Sequence, residues 1–176
     1  MTKLKIALLV STAAFGFASA QTIDRTQAKV VMVKEGDKMV EKLEPAPNIL
    51  PNDIIQYTVK LMNPRSDKLV GVRLQMPIPN GTTYLSQQKC SVTGYKALFS
   101  IDPHTLDPKT KAINNISTRK YADAAALTKT VIVKENGADV KKEVNATPAD
   151  YTALRWQLPD LAAKQTVECS IRVKVK

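Results

Sequence analysis

The chain has 176 residues and a net charge of +10, with 26 basic and 16 acidic side chains but only 5% aromatic residues. One histidine, two cysteines and six glycines form no zinc or copper ligand pattern, phosphate-binding loop or dinucleotide turn. We therefore expect no catalytic residues, no metal and no cofactor, and the low aromatic content argues against nucleic acid as a partner.

The N-terminus has the pattern of a secretory signal peptide. Lys3 and Lys5 precede an apolar run over residues 6–17, and a small-x-small motif predicts cleavage between Ala20 and Gln21. As a helix, twelve apolar residues span about 18 Å, which is too short for a bilayer core of about 30 Å. We expect a protein that does not span the membrane and is exported to the periplasm, the cell surface or the medium.

Two segments follow from this cleavage: a signal peptide over residues 1–20 and a single domain over residues 21–176. The mature domain keeps a net charge of +8, because Lys3 and Lys5 leave with the signal. A chain of this size buries enough surface to fold as one domain without a metal.

Most of the mature chain alternates apolar and polar residues with a period of two, which is typical of strands with one face on a core. In chain order the predicted strands are residues 28–33, 39–43, 55–62, 70–76, 82–85, 95–101, 130–134, 138–144, 152–158 and 166–175. Asn136-Gly137 is a strong hairpin signal, and residues 120–127 are compatible with a minor helix. The pattern predicts an all-β, antiparallel, immunoglobulin-like Greek-key sandwich, with no apparent internal repeat.

The two cysteines are candidates for a disulfide. Cys169 shares the alternation of its apolar neighbours Val167 and Ile171, so its side chain should face the core. In an exported protein a Cys90–Cys169 bond is expected to persist. The alternative is a pair of buried thiols that act as small apolar side chains.

Four basic residues are candidates for an anion site. If the strands at residues 70–76, 152–158 and 166–175 share one sheet, four cations lie on its outer face, namely Arg73, Arg155, Arg172 and Lys174. Such a face can hold phosphate or carboxylate groups, with arginine binding in a bidentate manner. The alternative is that these side chains are solvated and prevent edge-to-edge aggregation.

Several segments resemble a known family. The sequences PNDIIQYTVKLMN and YTALRWQLPDLAAKQTVECSIRVKV are similar to the bacterial cell-surface conserved repeat domain, which is domain of unknown function eleven. The residues that carry this resemblance are Asp53, Tyr57, Thr58, Asn63, Pro79, Gly81, Thr82, Tyr84, Arg155, Trp156 and Leu161. It implies an immunoglobulin-like sandwich on the bacterial surface and no enzymatic activity.

The chain departs from the family pattern at three points. Asn52 and Lys164 replace glycines that are usual in the family, and only a single copy is present where tandem copies are common. Asparagine tolerates a positive φ, so the turn at Asn52 should be kept, whereas Lys164 puts the turn before the last strand in doubt.

Three functions remain open at this stage. The first is a non-enzymatic cell-envelope protein that acts as a structural or interaction module through contacts with an envelope or cell-surface protein. The second is a binder of anionic glycan or lipid head groups through the basic face. The third is an enzyme of unknown type, because pairs of loop acids that meet only in the fold are invisible to sequence.

Overall fold

The computed structural model describes residues 22–110, 113 and 115–176. The predicted signal peptide and its cleavage site between Ala20 and Gln21 lie outside these described residues. In chain order the strands are β1 Thr22–Glu35, β2 Lys38–Pro45, β3 Ile54–Met62, β4 Arg73–Pro77, β5 Thr82–Cys90, β6 Lys96–Ser100, β7 Thr128–Glu135, β8 Ala138–Asn145, β9 Ala153–Gln157 and β10 Thr166–Val175.

Two antiparallel sheets form a β-sandwich. The larger sheet has the order β2-β1-β3-β10-β5 and the smaller has the order β4-β9-β6, while β7 and β8 form a two-stranded sheet of their own. The inner faces meet in one apolar cluster, whose fully buried members include Ile55, Val59, Leu61, Leu154, Trp156, Val167, Ile171 and Val173. The all-β, antiparallel sandwich predicted from sequence is thus confirmed.

The structure differs from the sequence prediction in two local elements. Val70 was expected on the core face of a strand, but its side chain is 59% exposed and β4 begins only at Arg73. Gly71 adopts a φ of +68°, which interrupts the extended backbone between these residues. The minor helix is reduced to a 3₁₀ turn at Ala124–Ala126, which has no side-chain cap and no buried residue to offset the cost of helix nucleation.

The long polar loop after β6 is anchored by a buried arginine. Arg119 is 5% exposed and donates to the carbonyl and hydroxyl oxygens of Thr152 at 3.0 and 2.9 Å. It also donates to the Pro103 carbonyl, to Asn115 Oδ1 and to Nδ1 of His104. One buried side chain therefore ties residues 103, 104 and 115 of the loop to Thr152.

Candidate functional site

Two β-hairpins extend from the sandwich and are its most distinctive surface features. Hairpin A (residues 28–45) consists of β2 and the second half of β1, because the first half of β1 pairs with β3 instead. Hairpin B (residues 128–145) consists of β7 and β8, which pair only with each other within the described chain. Both hairpins therefore leave strand edges without a partner in the part of the chain that the structure describes.

The two hairpins are copies of one motif placed one hundred residues apart. Residues 29–35 are KVVMVKE and residues 129–135 are KTVIVKE, which agree at five of seven positions. The strand register also agrees, since Val33 faces Val40 in hairpin A and Val133 faces Val140 in hairpin B. The expectation that the chain has no internal repeat is therefore wrong. The shared Lys-x-Val-x-Val-Lys-Glu pattern before a tight turn is the signal that identifies it.

Equivalent ion pairs close the tips of both hairpins. In hairpin A, Lys42 Nζ lies 2.6 Å from Glu35 Oε1. In hairpin B, Lys142 contacts Glu135 in the same way. These side chains are about half exposed, so each pair contributes little stability.

Equivalent lysines also attach both hairpins to the body. Lys29 lies 2.7 Å from Asp53 and Lys129 lies 2.5 Å from Asp150. The hydrogen bond from Lys29 lowers the pKa of Asp53. The hydrogen bonds from Lys129 and from the Thr147 backbone lower the pKa of Asp150 to about 2. Each carboxylate therefore stays ionised at the base of its hairpin.

The hairpins expose apolar side chains and have nearly balanced charge. Met32, Met39 and Leu43 share one face of hairpin A and are 55%, 57% and 52% exposed. Ile132 on hairpin B is 64% exposed. Hairpin A carries four lysines and four acidic residues, and hairpin B carries four lysines and three acidic residues. The positive charge of the chain therefore resides mainly elsewhere, and the hairpin surface is chemically suited to a protein partner.

A polar pocket of about 330 Å³ lies on the outer face of the larger sheet. Its lining consists of amides, hydroxyls and two cations, contributed by Gln56, Ser86, Gln87, Gln88, Lys89, Ser170 and Arg172. The Arg172 Nε donates to Gln56 at 3.1 Å, and its Nη1 lies 2.9 Å from Glu41. Arg172 is thus held in place by its neighbours while it lines the pocket.

An irregularity between β5 and β10 forms this pocket. The register shifts between Ile171 and Val173, so that residues 85–87 of β5 have no direct partner on β10. Ser86 adopts a φ of +58°, which turns the chain out of the regular ladder. A bulge of this kind cannot be recognised from the alternation of TTYLSQQKC, and sequence reasoning missed the pocket.

The four candidate cations do not lie on one face, which corrects the sequence prediction. Arg73 and Arg155 belong to β4 and β9 of the smaller sheet, whereas Arg172 and Lys174 belong to β10 of the larger sheet. The error arose because β10 was assigned to the sheet of β4 and β9, while its partners are β3 and β5.

The two arginines of the smaller sheet also differ in their contacts. Arg155 lies over the ring of Tyr121, 3.9 Å from its centroid, and it contacts the Gln75 side chain. Arg73 is exposed and makes no ion pair within the described part of the chain. Arg155 therefore helps to hold the loop onto the smaller sheet.

The predicted disulfide is present. Cys90 on β5 and Cys169 on β10 lie opposite each other, with an S–S distance of 2.00 Å. Cys169 is fully buried, as its alternation predicted. The bond joins the neighbouring strands β5 and β10 beside the polar pocket. It links residues 79 positions apart in sequence.

The described residues contain neither a cluster of metal ligands nor a membrane-spanning helix. No group of three or more histidine, cysteine or acidic side chains that could hold a metal ion occurs among them. In the same ranges no helix is both long and apolar enough to cross a bilayer. No family model, curated protein or solved structure matches the chain. The resemblance to domain of unknown function eleven therefore stays a prediction.

Proposed function

We propose that this chain is an exported cell-envelope protein without enzymatic activity that acts as a structural or interaction module through protein–protein contacts. The observation that carries the proposal is the pair of equivalent hairpins. Each presents exposed apolar side chains, nearly balanced charge and strand edges that have no partner among the described residues.

Strand edges and two-stranded ribbons favour a protein partner for physical reasons. An unpaired edge offers backbone donors and acceptors that an added strand can satisfy. An isolated two-stranded hairpin is only marginally stable in water, so further pairing or packing stabilises it. Exposed methionine and isoleucine side chains on the same ribbons add apolar area to such a contact.

Export is supported by the disulfide and by the signal-like N-terminus. Disulfides persist in the periplasm and outside the cell, whereas the cytosol keeps thiols reduced. The resemblance to the cell-surface conserved repeat domain agrees with this compartment. We propose the periplasm or the cell surface as the site of action.

Site-specific photo-cross-linking in intact cells tests the proposal. A photoreactive phenylalanine analogue replaces Met32 in hairpin A or Ile132 in hairpin B, and Thr93, an exposed residue outside both hairpins, serves as control. We expect defined protein adducts from the two hairpin positions that persist at high salt. Adducts at Thr93 alone, or no protein adduct at either hairpin, would contradict the proposal.

A second candidate function is binding of anionic glycan or lipid head groups, and the polar pocket favours it. Amides and hydroxyls in the pocket can bond to sugar hydroxyls, while Arg172 and Lys89 can bond to a carboxylate or phosphate group. Of the four cations predicted from sequence to bind an anion, Arg172 is the one that lines this pocket.

A further inference from the structure

We infer that hairpin A of one copy binds hairpin B of a second copy, with β2 and β7 forming a new antiparallel strand pair. The inference rests on the proposed function, because it specifies the protein partner as this same chain. The new pair places three side chains of β2 opposite three of β7, with Val40 opposite Val133, Lys38 opposite Glu135 and Glu44 opposite Lys129.

The register follows from a pairing that β2 already makes. Within hairpin A, β1 lies against β2 with Val33 opposite Val40. β7 carries Val133 at the position equivalent to Val33, within the same Lys-x-Val-x-Val-Lys-Glu pattern. The outer edge of β2 has no strand partner in the described chain. In this register, that edge meets nearly the same side chains on β7 as its inner edge meets on β1.

The charges of the three strands β1, β2 and β7 are complementary in this register. Two cross-strand rows alternate in sign, with Lys29, Glu44 and Lys129 in one row and Glu35, Lys38 and Glu135 in the other. Opposite charges directly across a strand pair are stabilising and like charges are destabilising. Antiparallel pairing of β2 with β8 gives a poorer match, because setting Glu41 opposite Lys141 makes only one pair of opposite charges. Setting Lys42 opposite Lys142 also puts Glu41 opposite Glu143. The pairing with β7 is therefore favoured.

The same register covers exposed apolar surface on the other face of the hairpins. Ile132 lies opposite Glu41, and therefore diagonally between Met39 and Leu43 of the neighbouring copy. Diagonal neighbours on one face of a sheet are within reach of long side chains. Three of the most exposed apolar residues of the chain thus become neighbours in the assembly.

The symmetry of this contact has a consequence for assembly. Each copy offers one β2 edge and one β7 edge, so the contact is heterologous and every bound copy leaves an edge for the next. The expected product is a head-to-tail chain of copies whose length rises with concentration.

A cysteine trap on the purified mature protein tests the register. Chains carrying Val40→Cys are mixed with chains carrying Val133→Cys, oxidised mildly and separated without reducing agent. The native cysteines are bonded to each other, so they leave only the introduced thiols to react. We expect at least about tenfold more cross-linked dimer than in a matched mixture of Val40→Cys with Ile132→Cys, whose thiol projects from the opposite face. Circular dichroism confirms that each variant is folded.

Two results would overturn the inference. One is preferential cross-linking between Val40→Cys and Lys42→Cys chains, whose thiols share a face of β2 and come opposite each other in symmetric β2–β2 pairing. The other is an absence of cross-linked dimer in every mixture. Light scattering of the wild-type protein at the same concentrations tests self-association directly. If photo-cross-linking in cells then captures a different protein at Met32, the proposed function stands and only the identity of the partner is wrong. If it captures no protein, both fail.

Discussion

The guanidinium of Arg119 donates to Nδ1 of His104 across 2.8 Å, so the imidazole is the neutral tautomer with its proton on Nε2. Burial lowers the pKa of His104, and the positive charge of Arg119 lowers it further. A proton can bind Nδ1 only if this hydrogen bond breaks. The stability of the loop that Arg119 anchors should therefore depend on pH.

We expect the free energy of unfolding to fall as the pH is lowered from about 7 to about 5. The unfolded state, in which histidine titrates near its ordinary value of about 6.5, takes up the proton before the folded state does. Stability from the neutral ring is present above that value and is lost as pH falls through the lower folded pKa. Urea unfolding at several pH values measures it, and His104→Gln should flatten the profile over this interval. An unchanged slope in this variant would show that other groups cause the dependence.

Arg119→Lys should destabilise the protein by about 2–4 kcal/mol, because a lysine cannot satisfy the several acceptors that the guanidinium binds and leaves buried carbonyl groups unpaired. The effect should be concentrated in the loop after β6. Chemical denaturation gives the free energy, and limited thermolysin digestion with mass spectrometry locates the cleavage. Lys120→Ala, which changes an exposed neighbour, is the matched control and should leave both measurements unchanged. Equal protease resistance in Arg119→Lys would contradict the anchoring role.

The ion pair at the base of hairpin B should make stability sensitive to acid. The folded pKa of Asp150 is about 2, below its ordinary value near 3.8, so its contribution is present above pH 3.8 and is lost as pH falls toward 2. Because Lys129 is the largest cause of this lowered pKa, Lys129→Met should reduce the loss of stability over that interval. Thermal unfolding between pH 5 and the acid transition measures it. Lys134→Met, an exposed lysine on the same strand, is the control.

Local patterns in the sequence predicted the strands well, since alternation is a property of neighbouring residues. The last predicted strand, residues 166–175, coincides with β10 Thr166–Val175, and the core position of Cys169 follows from the same alternation. The sheet to which β10 belongs is not a local property. It depends on pairing with residues more than one hundred positions away in β3, which explains why Arg172 and Arg73 were wrongly placed together.

The candidate sites were largely invisible to sequence for related reasons. The polar pocket depends on a register shift between β5 and β10, and a period-two pattern does not report such a shift. The duplicated hairpins were present in the sequence, yet their equivalence became clear only when Val33–Val40 and Val133–Val140 were seen in the same register. The shared Lys-x-Val-x-Val-Lys-Glu pattern is short, and the common strand register shows that it marks two equivalent hairpins.

The turn before β10 provides a test of backbone strain. Lys164 adopts a φ of +61°, a left-handed conformation that glycine reaches without a steric cost. Lys164→Gly should therefore raise the free energy of unfolding by up to about 1 kcal/mol, less the lost hydrogen bond from its Nζ to the Pro64 carbonyl. Lys164→Ala removes the same hydrogen bond but keeps the strained conformation, so it should be no more stable than wild type. A glycine variant that is less stable than the alanine variant would contradict the argument.

Binding of an acidic glycan to the polar pocket gives the last prediction. Arg172 lines the pocket beside Lys89 and the amides of Gln56 and Gln87, whereas Arg73 lies on the other sheet. If the pocket binds carboxylated sugar, Arg172→Gln should weaken binding of an oligogalacturonate probe by about tenfold or more, because a charge-assisted contact is lost. Arg73→Gln removes the same charge from the chain and should leave affinity unchanged. Equal losses in the two variants, measured by calorimetry at low and high salt, would indicate attraction by net charge alone and exclude the pocket as the binding site.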